Sequence, residues 1–324
     1  MDRDSQAMTR EVVAVVDAAH YPTDGLQRLA SRFEVRPIAD RELAAVSREL
    51  REIQPHIMLC GIHLPVGEDM LGVCDRLRLV ASPATGTTHL DLDYLGRRGI
   101  DVLTLRDCPG AVDQVFATAE HAWLLLLSLH RRLIDASGSV TTGHFVRDGF
   151  LGDSVQGRTL GVVGLGRLGQ RVASYGRAFG MKVIGVDPAP TSDDPVTPRV
   201  SLSELLPIVD VLSIHVPLSE STGDMLGATQ VRAMRKGAML INTSRGEVLD
   251  EVAVASAVRS GHLGGVGVDV LRGESGPGFS PLTSPLVAAQ RDGYNVVVTP
   301  HIGGWTRTAV GHTRTAMIDR LLQQ

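Results

Sequence analysis

Short, almost continuously apolar runs alternate along the whole chain with longer stretches of mixed polarity. Val12–Val16, Ile57–Leu59, Leu77–Val80 and Asp101–Leu105 have the pattern of parallel strands covered by helices on both faces. Between them lie segments with helical spacing, such as Arg41–Ile53. The apolar stretch from Val112 to Ile134 predicts one long helix packed between layers, and Ser137–Arg158, rich in Gly, Ser, Thr and Asp, predicts a loop. The βα alternation then restarts, with strands at Thr159–Val163, Lys182–Val186, Val211–His215, Ala238–Ile241, Gly264–Val270 and Asn295–Thr299. Val287–Tyr294 predicts a surface loop, and Trp305–Gln324 one helix returning to the first domain. The implied fold class is α/β: two doubly wound parallel-sheet domains, Rossmann-like and flavodoxin-like, with the active site in the cleft between them. The first domain is discontinuous, 1–109 plus 304–324, and the second spans 110–303.

A chain of 324 residues supplies two sizeable cores, and 43% hydrophobic with 21% charged residues is an ordinary globular balance. A net charge of -4 gives no electrostatic case for nucleic acid or an anionic membrane. The longest apolar stretch, Ala122–Leu127, is too short to span a bilayer. The N-terminus, Met1-Asp2-Arg3-Asp4, lacks the basic start and apolar core of a signal peptide. Cys60, Cys74 and Cys108 form no CxxC pair, which points to a reducing compartment; the expected location is the cytoplasm. No metal site is expected.

The most specific chemistry lies at Gly164-Leu165-Gly166-Arg167-Leu168-Gly169. A lone GxGxxG is weak evidence, but this one follows a strand and opens a helix, and the next strand ends at Asp187. Gly164 allows the tight turn, Gly166 lets backbone approach a pyrophosphate, and Gly169 lets helix and strand pack closely. The helix N-terminus adds free N–H groups and a positive dipole for phosphates. Asp187 would bond ribose hydroxyls and repel a 2′-phosphate, at a cost of roughly 4 kcal/mol for unit charges about 4 Å apart at an effective dielectric near 20. Pro188-Ala189-Pro190 offers no arginine to reverse that preference. The expected cofactor is therefore NAD rather than NADP.

Three further residues follow predicted strands. Arg245, in Asn242-Thr243-Ser244-Arg245-Gly246, can hold a carboxylate by two parallel hydrogen bonds and so orient the adjacent carbonyl. Alone it would be an ordinary surface arginine. His301 sits in Thr299-Pro300-His301-Ile302-Gly303-Gly304, where a lone histidine is more often structural. Glu274, after Gly264–Val270, changes the balance, because a carboxylate beside the ring favours the imidazolium and equips His301 to protonate a carbonyl oxygen.

These motifs, in this order, resemble the D-isomer-specific 2-hydroxyacid dehydrogenase family over nearly the whole chain. The marks are the Gly164–Gly169 turn with Asp187, His215-Val216-Pro217-Leu218, Asn242–Asp250, Asp269-Val270-Leu271 with Glu274, and Thr299–Gly304. The resemblance implies Arg245 as substrate-carboxylate clamp, Glu274 as acid partner and His301 as general acid/base. It implies contacts to NAD from Arg167, Leu168, Thr243, Ser244, Gly303 and Gly304, with Asp269 near the nicotinamide amide and His215 and Pro217 beside the adenosine half. His215 reads equally as a hydrogen-bonded strand-end histidine. The substrate loop of the resemblance maps to Val80–Asp91, with Thr85 and Gly86 presenting backbone N–H groups to the carboxylate. Here Ala84 stands where a glycine is usual, Thr88-His89 where Asp-Asn is common, and Ser275 where a proline is usual. Trp305 either walls the pocket or packs between domains.

The expected partner is a small 2-keto or 2-hydroxy acid, and the expected assembly a homodimer through the cofactor domain. The acid stays open among glyoxylate, hydroxypyruvate, a branched keto acid and a larger sugar-derived acid. 3-Phosphoglycerate is disfavoured because Leu59–Leu64 contains no arginine for the phosphate. Formate dehydrogenase, a related group, would have glutamine at Glu274. The alternative from another class is an NAD-sensing, corepressor-like binding protein without turnover; no basic tail supports it.

Overall fold

The computed structural model describes residues 10–188, 197–276 and 278–324. Met1–Asp4, Pro277 and the Ala189-Pro190 part of the Pro188–Pro190 segment therefore lie outside the described residues. The chain divides into two units: one holds the N-terminal part as far as Val115, a short segment from Ser275, and Arg307–Gln324, and the other holds Phe116–Glu274 and Gly278–Thr306. Sequence had suggested limits at 109 and 303.

Among the described residues the first unit carries a five-stranded parallel sheet of β1 (Val12–Val16), β2 (Glu34–Ile38), β3 (Ile57–Leu59), β4 (Leu79–Ala81) and β5 (Asp101–Leu103), in the order β2-β1-β3-β4-β5. That is the flavodoxin-like order. Period-two geometry sends Val13 and Val15 to one face and Ala14 and Val16 to the other, and each face has its own core. The C-terminal helix Arg307–Leu322 contributes Met317, Ile318 and Leu321 to the Val13/Val15 face. β2 was missed in the sequence because it is mostly exposed, contains Pro37 and pairs only with β1, all features of an edge.

The second unit carries a six-stranded parallel sheet of β6 (Thr159–Val163), β7 (Lys182–Val186), β8 (Val211–Ile214), β9 (Ala238–Asn242), β10 (Leu263–Val268) and β11 (Val296–Val298), ordered β11-β10-β9-β8-β6-β7. The helix Ala117–His130 is apolar nearly all round and buries Ala119, Trp123, Leu126 and Leu129 against one face. The single helix expected over Val112–Ile134 is corrected to this shorter one. Arg132 takes a left-handed φ of 47°, which ends it, and a second helix Leu133–Thr141 runs into the segment expected to be loop. A second correction concerns Val287–Tyr294. Most of that stretch lies in a helix, Pro285–Arg291, with Ser284 capping Leu286 N–H, Pro285 in the first turn, and Leu286 and Ala289 buried.

Candidate active site

Strand register aligns every carboxyl end of the second sheet. Val163 pairs with Val186 and Ile214, Ile214 with Asn242, and Val268 with both Asn242 and Val298. The chain leaves β6 at the point where strand order reverses, between β7 and β8, which is where open α/β sheets bind ligands.

The Gly164–Gly169 turn sits at that point, and its three glycines have three separable causes. Gly164 has φ 89°, and a Cβ there would lie 2.7 Å from the His215 carbonyl oxygen. A Cβ on Gly169 would fall 1.8 Å from Gly164 O, so only glycine lets helix Arg167–Ala178 reach the strand. A Cβ on Gly166 would meet no atom within 4 Å, which leaves the face of the turn open to an approaching phosphate. Gln170 N–H is the donor to Gly166 O, so the N–H groups of Arg167, Leu168 and Gly169 precede the first helical bond. At the end of β7, Asp187 Oδ2 accepts Leu165 N–H at 2.7 Å, fixing the carboxylate beside the turn. The residues therefore fit a dinucleotide.

His215 N–H donates to Val163 O, and its ring Nε2 lies 2.8 Å from Ser213 Oγ. Burial pushes its pKa down to about 4, so the ring is neutral at physiological pH. Pro217 is exposed, and its carbonyl accepts the Thr222 hydroxyl.

The loops after β9, β10 and β11 carry Arg245, Glu274 and His301. Asn242 shapes the first: its Oδ1 accepts the backbone N–H and the hydroxyl of Ser244, and its Nδ2 donates to Arg245 O. Thr243 is buried, and among the described residues its hydroxyl oxygen has no hydrogen-bond partner. Arg245 is half-buried and donates to Ser244 O at 2.6 Å. Gly246 lets this loop touch the next, since a Cβ there would lie 2.1 Å from the Leu271 carbonyl carbon.

Asp269 is 1% exposed and organises the histidine turn. Its Oδ1 accepts the Thr299 hydroxyl and Ile302 N–H, its Oδ2 accepts Gly303 N–H, and its carbonyl accepts His301 N–H. Burial opposes the anion, but the bonds from His121, Thr299, Ile302 and Gly303 outweigh it and hold the carboxyl below the usual aspartate range. A carboxylate only accepts, so Thr299 O–H points to Asp269 and its lone pairs face His121 Nε2, 2.8 Å away.

This clamp keeps His301 in a left-handed conformation, φ 52°, uncommon for a non-glycine residue and often found where function fixes geometry. Its Nδ1 lies 2.5 Å from Glu274 Oε1, while Glu274 Oε2 accepts Leu271 N–H at 3.0 Å. One ring nitrogen is thus tied to the carboxylate, and the other, Nε2, faces away from it.

His121, Asn242 and Thr299 went unassigned in the sequence. His121 had a signal, as a polar residue within an apolar helix; the other two sit inside quoted motifs with no hint of their bonds. Thr85 and Gly86 belong to the first unit, in the loop after β4, where Thr85 is exposed. Gly304 and Trp305 are exposed, Trp305 to 47%. No helix among the described residues is long and apolar enough to cross a membrane.

A family model described as "D-isomer specific 2-hydroxyacid dehydrogenase, NAD binding domain" matches residues 123–303. The chain belongs to that family. It is 31% identical over 301 residues to the glyoxylate reductase of Thermococcus litoralis, covering 89% of this chain and 86% of that one. To the D-3-phosphoglycerate dehydrogenase of Bacillus subtilis it is 30% identical over 303 residues, 93% of this chain; it spans about half of that longer relative, 54%. Among solved structures, the TT0316 protein of Thermus thermophilus superposes with TM-score 0.79 at 32% identity, covering 96% of each chain. The D-lactate dehydrogenase of Aquifex aeolicus, complexed with NAD and lactic acid, gives 0.76 at 27% identity, covering 96% of this chain and 94% of that one. The family is one of NAD-dependent oxidoreductases acting on 2-hydroxy acids.

Proposed function

We propose that this dehydrogenase interconverts a small 2-keto acid and its D-2-hydroxy acid. The observation that carries the assignment is the His301–Glu274 pair, 2.5 Å apart on neighbouring loops. Arg245 holds the substrate carboxylate, and in the first unit the N–H groups of Thr85 and Gly86 are the donors suited to the substrate. The Gly164–Gly169 turn, Asp187, Thr243, Ser244, Pro217, Gly303 and Gly304 bind the cofactor, with the buried, unsatisfied Thr243 hydroxyl as one group awaiting a ligand partner. When bound, the nicotinamide supplies or takes up the hydride. His301 Nε2–H gives its proton to the carbonyl oxygen, leaving a neutral imidazole, and in the reverse direction Nε2 takes the hydroxyl proton back. Glu274, bonded to Nδ1, fixes the ring's orientation and leaves Nε2 for the transferred proton.

Asp187 favours NADH over NADPH, since a 2′-phosphate would meet its charge. Buried, unpaired Cys60, Cys74 and Cys108 fit a reducing, cytoplasmic setting. Relatives named glyoxylate reductase and hydroxypyruvate reductase guide the first substrates to try. The test is a panel of 2-keto acids, glyoxylate and hydroxypyruvate included, with NADH or NADPH loss followed by absorbance. Turnover of at least one acid with a kcat/KM favouring NADH is expected. No turnover of any acid with tight NADH binding retained would favour an NAD-sensing protein instead.

A further inference from the structure

The loop after β4 contains a buried polar pair that the reaction above does not use. Ser82 is 0% exposed and His89 3%, and Ser82 Oγ lies 2.9 Å from His89 Nε2. The bond joins the first and last residues of the stretch whose centre is Thr85-Gly86. We infer that His89, through Ser82, is a positioning residue that sets the shape of the substrate loop, and with it affinity for the 2-keto acid carboxylate. The inference rests on the proposed role of Thr85 and Gly86.

Both feet of the loop are anchored. Ser82 N–H donates to Leu103 O at 2.8 Å, Leu105 N–H to Ala84 O at 3.0 Å, and Val66 N–H to His89 O at 2.7 Å. Leu90 N–H closes a turn onto Thr87 O. Between these anchors the crest stands outward, with Thr85 exposed, and among the described residues nothing accepts the N–H groups of Thr85 and Gly86. Backbone donors without a protein acceptor at the crest of an anchored loop are suited to an anion. These anchors tie each foot to a different neighbour, Leu103 and Val66, and none ties one foot to the other. The Ser82–His89 bond does that, crossing from one foot to the other inside the core, where water does not compete for it.

Losing the bond removes a buried tie between the two feet, so the feet would shift and the crest donors would move with them. The reacting carbonyl would still be reached by His301, so the effect belongs in KM rather than kcat. Misplaced donors should raise KM for the 2-keto acid about 10-fold in His89→Ala, the change expected for one lost hydrogen bond to a charged group. The kcat should stay within about threefold, and the NADH Kd unchanged, because the cofactor residues lie in the other unit. His89→Asn, whose amide can still bond Ser82, should recover most of the wild-type KM. Ser82→Ala removes one oxygen and should match His89→Ala, with the double variant no worse than either single one.

The experiment is steady-state kinetics on wild type and these four variants with the best acid of the panel, alongside NADH binding and thermal melting. KM unchanged in Ser82→Ala and His89→Ala, with wild type active, would overturn the loop assignment alone, even if melting points fall. A fall in kcat with KM unchanged would overturn it as well. Wild type inactive on every acid would overturn both this inference and the proposed reaction. Should His89→Ala fail to fold, the single-atom change in Ser82→Ala still decides.

Discussion

At His301 the roles of backbone and side chain separate. The turn is built by Asp269, whose carboxylate accepts Thr299 O–H and the N–H groups of Ile302 and Gly303, while the ring is oriented by Glu274. The sequence made Arg245, Glu274 and His301 legible because each is a charged or titratable residue just beyond an apolar run. It could not disclose that Asp269 is committed to the turn, since its partners include His121, brought in from the helix Ala117–His130. Nor could it choose between the two readings of His215. The ring is bonded to Ser213 and neutral, and that bears on stability. Its pKa, about 4, lies below the value near 6.5 of an unfolded histidine. Between those pH values the unfolded chain binds a proton that the native chain refuses, so stability falls as pH drops from 6.5 to 4, by about 3 kcal/mol at full amplitude. The loss tied to Asp269, whose pKa is lowered, comes at still more acid pH. His215→Gln should flatten the melting temperature against pH over that window; parallel curves for variant and wild type would contradict the assignment.

At the level of elements, the turn after β6 was legible in the sequence, because three glycines at fixed offsets answer to three different local geometries. They should fail differently when substituted. Gly169→Ala forces a Cβ against Gly164 O and should cost at least about 3 kcal/mol, seen as a large drop in melting temperature. Gly166→Ala meets open space, so its melting temperature should stay close to wild type while NADH binds at least about tenfold more weakly. Equal stability losses in the two would mean that the open face is not where phosphate lies. Elements that escaped the sequence share a cause. β2 is a polar edge strand, and the helix Pro285–Arg291 is a two-turn element whose start is marked only by Ser284-Pro285. The break at Arg132 depends on a backbone conformation that side-chain patterning does not encode.

For the whole molecule, the doubly wound plan of each unit followed from apolar strands and their spacing, whereas assembly depends on surface. The second unit exposes a run of large apolar residues beyond helix Ala117–His130: Leu133, Ile134, Val140, Phe145 and Leu151, the last two 91% and 94% exposed. So many exposed large apolar side chains in one stretch are unusual on a monomer, and we propose that a second copy of the chain covers them. Phe145→Ser with Leu151→Ser should shift sedimentation from dimer to monomer; wild type sedimenting as a monomer would contradict the proposal. The central claim, that His301 moves the proton during 2-keto acid reduction, is tested most directly by His301→Gln. Its kcat should fall by about 10² to 10⁴ while NADH binds as tightly as to wild type. Turnover at the wild-type rate with NADH binding intact would contradict the account.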